Sequence, residues 1–159
     1  MEKSPKNYDV LIIGAGPAGA NAAISYKNLN PNLTVGLVDK AIFPRDKSCG
    51  DAIGPGVISA LKRFNNEHIL DGEPQVVSTT LYGPDNIGIQ NYIPEVKNKE
   101  DSIVYVIPRV DLDNRILDLA KECGVDVYEG YSFVDFTSNL DKSLNVQIKN
   151  ENENLEFLT

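Results

Sequence analysis

The sequence predicts an α/β protein built on a β-α-β unit, and three observations carry that reading. An apolar, β-branched run at Tyr8 to Ile13 (YDVLII) stops at glycine, the pattern of a strand buried on both faces of a parallel sheet. Gly14-Ala15-Gly16-Pro17-Ala18-Gly19 follows at once and fits G-x-G-x-x-G where a strand gives way to a helix. A second apolar run, Leu33 to Val38 (LTVGLV), ends at Asp39, 20 residues past the last glycine of the motif.

Each element follows from local chemistry. Pro17 suits the first turn of a helix, and Ala18, Ala20, Ala22 and Ala23 let that helix lie close to a sheet as far as about Leu29. Asn30-Pro31-Asn32 makes the turn into the second strand. The stretch AIFPRDKSCGDAIGPG after Lys40 has no periodicity and reads as irregular. A short helix follows, with Val57, Ile58, Leu61 and Phe64 on one side. Three β-like runs, VVSTTLYG, IGIQNYI and SIVYVI, are separated by Gly-Pro-Asp-Asn and a polar stretch from Glu95 to Asp101; they predict a small antiparallel β insert over 73–107. Leu112, Ile116, Leu119, Ala120 and Cys123 set helical spacing from Arg109 to Cys123, with Gly124 placed as a cap. Val125 to Tyr128, Tyr131 to Phe136 and Leu144 to Ile148 read as strands, and Asn150 to Asn154 as a polar turn. Leu155 to Thr159 begins another strand, with no closing helix. The expected fold is therefore incomplete at the C-terminus, with an unpaired sheet edge.

Composition narrows the function classes. A chain of 159 residues has room for one domain with a core. A formal net charge of −8 repels phosphate backbones and anionic lipid surfaces, which argues against a nucleic-acid partner. No apolar run approaches the roughly 18 residues of a membrane helix, because Gly14, Gly16, Pro17 and Gly19 break the most apolar stretch. The N-terminus lacks the apolar segment of a secretory signal, so a cytoplasmic location is expected. Cys49 and Cys123 are far apart, and His68 is the sole histidine, so no metal site is expected. His68 lies in the polar stretch Asn65 to Asp71 and receives no role, whereas Cys123 sits at an apolar helix position and reads as core.

The glycine motif carries the chemistry. Gly14 permits the tight turn, Gly16 removes a side chain where a pyrophosphate must approach the backbone, and Gly19 lets the helix pack on the strand. Amides at the helix N-terminus meet the phosphates. Asp39, at the end of the second strand, can accept hydrogen bonds from ribose hydroxyls, and its charge disfavours a 2′-phosphate. The pattern thus predicts a Rossmann-like FAD/NAD(P)-binding fold, and it leaves the choice of dinucleotide open because both share the ADP half.

Three stretches bear on that choice. Gly14-Ala15-Gly16-Pro17-Ala18-Gly19, FPRDKSCGD from Phe43, and PRVDLDNRILDLAKECGVDVYEG from Pro108 together resemble the geranylgeranyl reductase family of flavoproteins, which shares the p-hydroxybenzoate hydroxylase fold. The likeness spans most of residues 8–137, and the Phe-Pro-Arg-x-Lys-x-Cys-Gly run is its most diagnostic part. It implies FAD as cofactor, held by Gly14, Gly16, Pro17, Ala18 and Gly19, by Asp39 with its neighbour Lys40, and by Arg45 and Arg109. It places Cys49 and Gly50 on a loop near flavin and substrate, where a thiol flanked by Lys47 is either a reactive, candidate catalytic group or a plain loop residue. Arg109 is unusual on physical grounds as well, since a cation at a helix N-terminus opposes the dipole and suggests an anionic neighbour. Asp39 stands where such flavoproteins more often carry Glu, and the family's later Asp-Gly and Gly-Asp motifs do not occur before Thr159.

The resemblance implies an oxidoreductase that reduces isoprenoid double bonds, with a small-molecule or isoprenoid-lipid substrate and NAD(P)H or ferredoxin as electron donor. On the same likeness, residues 1–159 form the N-terminal part of an FAD-binding domain, with the β insert on the substrate side, and are inactive alone. A flavin monooxygenase or halogenase of the same fold, a non-catalytic dinucleotide-binding fragment and an NAD-dependent dehydrogenase are the alternatives.

Overall fold

A computed structural model describes residues 5–92 and 104–159. In chain order these form β1 (Lys6–Asn7), β2 (Val10–Ile13), α1 (Pro17–Leu29), β3 (Val35–Asp39), β4 (Ala52–Ile53), α2 (Pro55–Lys62), a 3-10 turn (Glu67–Leu70), β5 (Ser78–Tyr82), β6 (Gly88–Tyr92), β7 (Tyr105–Val106), α3 (Arg109–Glu122), β8 (Asp126–Glu129), β9 (Ser132–Ser138), β10 (Leu144–Lys149) and β11 (Asn154–Leu158). They gather into two compact units, one from residues 1–46 and 110–159, the other from 47–109.

The first unit holds a parallel sheet in the order β2-β3-β8, with Val10 opposite Val35 and Leu37 opposite Val127. Central β3 is buried throughout its apolar run, at 1% exposure or less for Val35, Leu37 and Val38, as expected of a strand covered on both faces. Helix α1 packs through Ala20, Ala23 and Ile24, all fully buried. A side chain at Gly36 would strike Leu11 and the Tyr8 ring, so this strand glycine marks a close approach. Helix α3 buries Leu112, Ile116, Leu117, Leu119 and Ala120 and is followed by Gly124, whose φ of +81° suits glycine.

A second sheet, in the order β1-β11-β10-β9, is an antiparallel meander to which β1 adds in parallel. Tyr8, Val38, Val146, Ile148 and Phe157 form one apolar cluster, so the two sheets share a core. Within it the Tyr8 and Phe157 rings meet edge to face, with centroids 5.4 Å apart. The strand expected from Tyr8 therefore splits. Tyr8 N–H donates to the Leu158 carbonyl of the second sheet at 2.8 Å, and pairing with β3 begins only at Val10. The closing residues differ from expectation too: β11 is hydrogen-bonded on both sides, to β10 and β1, instead of leaving the expected loose edge. A distant two-residue strand supplies the second partner, and nothing local announces it.

In the second unit, β5 and β6 form the expected hairpin, with Leu81 opposite Ile89. Of SIVYVI, the described residues run antiparallel to the segment before β5, with Gln75 opposite Tyr105 and Val76 N–H donating to the Val104 carbonyl at 2.8 Å. Tyr105 and Val106 pair as well with Ile53 and Ala52, inside the stretch read as irregular, because that pairing is long-range and leaves no periodic trace. The polar stretch from Glu95 to Asp101 lies outside the described residues. Helix α2 buries Ile58 and Leu61 but leaves Val57 41% exposed. Asn65 to Asp71, read as polar, contains the 3-10 turn, which buries Ile69 and Leu70 and leaves His68 exposed.

Candidate dinucleotide-binding site

The turn from β2 into α1 has the shape its glycines allow. Gly14 sits at φ +103°, and its N–H donates to the Val38 carbonyl at 2.7 Å, tying the loop to the end of β3. A Cβ on Gly19 would overlap the Gly14 carbonyl oxygen, so the first and last glycines of the motif pack against each other. Gly16 is the N-cap of α1, Pro17 follows in the first turn, and no side chain caps the helix or adds an acid to that turn. The positive end of α1 is thus presented without an internal anion.

Asp39 completes this geometry. Its Oδ2 accepts the Ala15 N–H at 2.7 Å and its Oδ1 accepts the Ala41 N–H at 2.8 Å, which locks the glycine loop to the end of β3. A carboxylate oxygen has a second lone pair, so each can still accept a hydroxyl. Asp39 and Lys40 line a cleft of about 320 Å³ with Ile13, Gly14 and Val38, flanked by Ser132 and Phe133.

Arg45 reaches the same loop. Its Nη2 would stand 3.4 Å from a Cβ on Gly16, its guanidinium carbon lies 5.0 Å from the Phe43 ring centroid, and Nη2 is 3.7 Å from Asp113 Oδ2. The segment leading to it is anchored, because Phe43 N–H donates to Glu129 Oε1 at 2.8 Å and Lys121 Nζ lies 3.1 Å from Glu129 Oε2. Gly14, Gly16, Pro17, Ala18, Gly19, Asp39, Lys40 and Arg45 thus belong to one unit.

Cys49, Gly50 and Arg109 belong to the other unit. The Cys49 thiol is exposed and held below the usual thiol range, first by a hydrogen bond from the Asp51 N–H and then by the Arg109 side chain. Arg109 N–H in turn donates to Asp51 Oδ1 at 3.3 Å. Open space surrounds Gly50, so no neighbour there demands a glycine. Cys123, expected in the core, is only half-buried, with burial raising its pKa.

Three residues near the loop were not singled out from the sequence: Phe43, Asp113 and Glu129. Asp113 left a readable signal, since it interrupts the apolar register of α3 three and four residues before Ile116 and Leu117. Phe43 was legible only as the opening of the Phe-Pro-Arg run, and Glu129 left no signal, because their roles depend on β8 lying beside the loop after β3.

An uncapped helix N-terminus behind three glycines, a cation beside Gly16 and a carboxylate at the strand end suit the ADP half of FAD. Among the described residues no group of three metal-ligating side chains lies together, and no helix is long and apolar enough to cross a membrane.

This α/β architecture is that of flavin-dependent oxidoreductases. The crystal structure of CmlS, a flavin-dependent halogenase, superposes with a TM-score of 0.78 over 99% of this chain and 28% of its own, at 22% identity. Among curated proteins, the chain is 33% identical over 129 residues to a menaquinone reductase of Mycolicibacterium smegmatis, covering 81% of this chain and 30% of that one. It is 29% identical over 124 residues to a digeranylgeranylglycerophospholipid reductase of Picrophilus torridus, covering 77% and 30%. No protein-family model matches the chain. The chain spans about 30% of the length of these two relatives.

Proposed function

We propose that this chain is the ADP-binding part of an FAD-dependent oxidoreductase that reduces carbon-carbon double bonds of an isoprenoid substrate. The observation that carries the reading is the convergence of Asp39, Arg45 and the glycine loop on one helix N-terminus. The reductases among the relatives support the reaction class. Gly14, Gly16 and Gly19 admit the pyrophosphate, with Pro17 and Ala18 opening the helix that faces it. Asp39 accepts from the ribose beside Lys40, and Arg45 faces the phosphates. Arg109 and Cys49-Gly50 serve the flavin end, with the lowered Cys49 thiol as the candidate reacting group. The flavin, when bound, would supply the electron pair, while the glycine loop, Asp39 and Arg45 hold its nucleotide end. The 73–107 insert belongs to the substrate side.

Titration of the purified protein with FAD and with NAD, followed by calorimetry with AMP as competitor, tests the reading. FAD binding more tightly than NAD and yielding to AMP is the expected result. A folded protein that binds neither overturns it. A flavin-dependent halogenase of the same fold is the second reading, supported by the coverage of CmlS. A product that requires oxygen and halide, instead of a saturated prenyl chain, would favour it.

A further inference from the structure

Among the described residues Asp113 is the fully buried charged side chain, with none of its side-chain surface exposed. It lies on the face of α3 that buries Leu112, Ile116 and Leu117. Burying a carboxylate among aliphatic groups is unfavourable unless a cation compensates it, and a buried ion pair is seldom more stabilising than apolar residues of the same shape. Arg45 is one of the groups that this carboxylate faces.

Arg45 Nη2 lies 3.7 Å from Asp113 Oδ2, a separation that orients by charge more than by a tight hydrogen bond. The Phe43 ring flanks the same guanidinium, whose Nη2 also approaches Gly16. Anion, ring and loop all lie close to the guanidinium, and 21% of the Arg45 side chain stays exposed. A cation fixed beforehand loses less freedom when it meets an anion. We propose that Asp113 is a positioning residue, which holds Arg45 beside Gly16 so that its guanidinium meets the pyrophosphate of the dinucleotide; this rests on the dinucleotide reading above.

The test compares wild type, D113N, R45Q and the double variant in binding FAD, ADP and adenosine, together with their melting temperatures. D113N keeps the shape of the side chain and removes its charge. It is expected to weaken FAD and ADP about tenfold, the scale of one charge-assisted contact, and to leave adenosine binding unchanged. R45Q is expected to do the same, and the double variant to bind no worse than R45Q alone. If D113N melts lower yet binds FAD and ADP like wild type, Asp113 is merely structural and the proposal falls. If D113N does not fold, D113E moves the carboxylate by one methylene: ADP affinity unchanged there, or in R45Q, overturns the proposal, and a selective loss of ADP over adenosine in both sustains it. Should folded wild type bind none of the three ligands, the dinucleotide reading itself fails, a result distinct from equal binding by wild type and D113N.

Discussion

Asp39 shows how one side chain serves both the loop and its ligand. Its two oxygens accept N–H groups from opposite sides of the site, Ala15 and Ala41. Asparagine has one acceptor oxygen and would set an NH2 group against one of those donors. Asp39→Asn should therefore lower stability by about 1–3 kcal/mol and weaken FAD, as denaturant melts and a flavin titration will record. Gly19→Ala should damage the loop by another route, because the added methyl overlaps the Gly14 carbonyl; a loss of about 1–3 kcal/mol and of most FAD affinity is expected. A third residue contributes to the acid response. Partial burial pushes the Asp126 pKa up, but hydrogen bonds from Lys6 Nζ at 2.7 Å and Tyr8 OH at 3.0 Å outweigh it, and the carboxyl is held below its ordinary range. A group depressed in the folded state stabilises above its unfolded pKa, about 4, and that contribution is lost as pH falls through the lower folded value. Asp126→Asn should accordingly be less stable than wild type at pH 7, and melts in increasingly acid buffer should show the two converge.

At the scale of elements, the meander depends on β11 as its link. Phe157 on β11 is 2% exposed and touches the rings of Tyr8 and Tyr128, so it joins the second sheet to residues beside β2 and on β8. Phe157→Ala should cost about 3–5 kcal/mol in urea melts, and a loss near zero would mean that the meander packs independently. Helices α1 and α3 were readable because small residues, apolar spacing, Pro17 and Gly124 all act within a few positions. β1, β4 and β7 are two-residue strands that exist only through distant partners, and local pattern misses such strands. The glycine loop and Asp39 were legible for the same reason as α1. Asp113 was visible only as an interruption of an apolar stripe, and its partner Arg45 lies far away in sequence.

Over the whole molecule, apolar surface is left uncovered in both units. In the first, Ile13, Phe133 and Phe136 are 48%, 43% and 53% exposed along a groove of about 280 Å³ beside β2. In the second, Leu81, Tyr82, Ile89 and Tyr92 are all at least 65% exposed on a two-stranded hairpin, a form that is marginal in water by itself. Exposed apolar groups of this extent favour association. The purified chain is expected to bind a hydrophobic dye and to associate as its concentration rises, and Phe136→Lys should reduce both in dye fluorescence and sedimentation; a monomeric, dye-free chain would contradict this.

What the sequence determined by itself is the β-α-β unit, its glycine loop and the acid at the second strand end, since each rests on backbone freedom, side-chain volume and periodicity among neighbours. Tertiary structure alone decided that Tyr8 joins two sheets, that β11 finds a partner in β1, and that Asp113 faces Arg45. These are contacts between residues far apart in the chain, whose energy comes from burial and charge pairing that no local window contains.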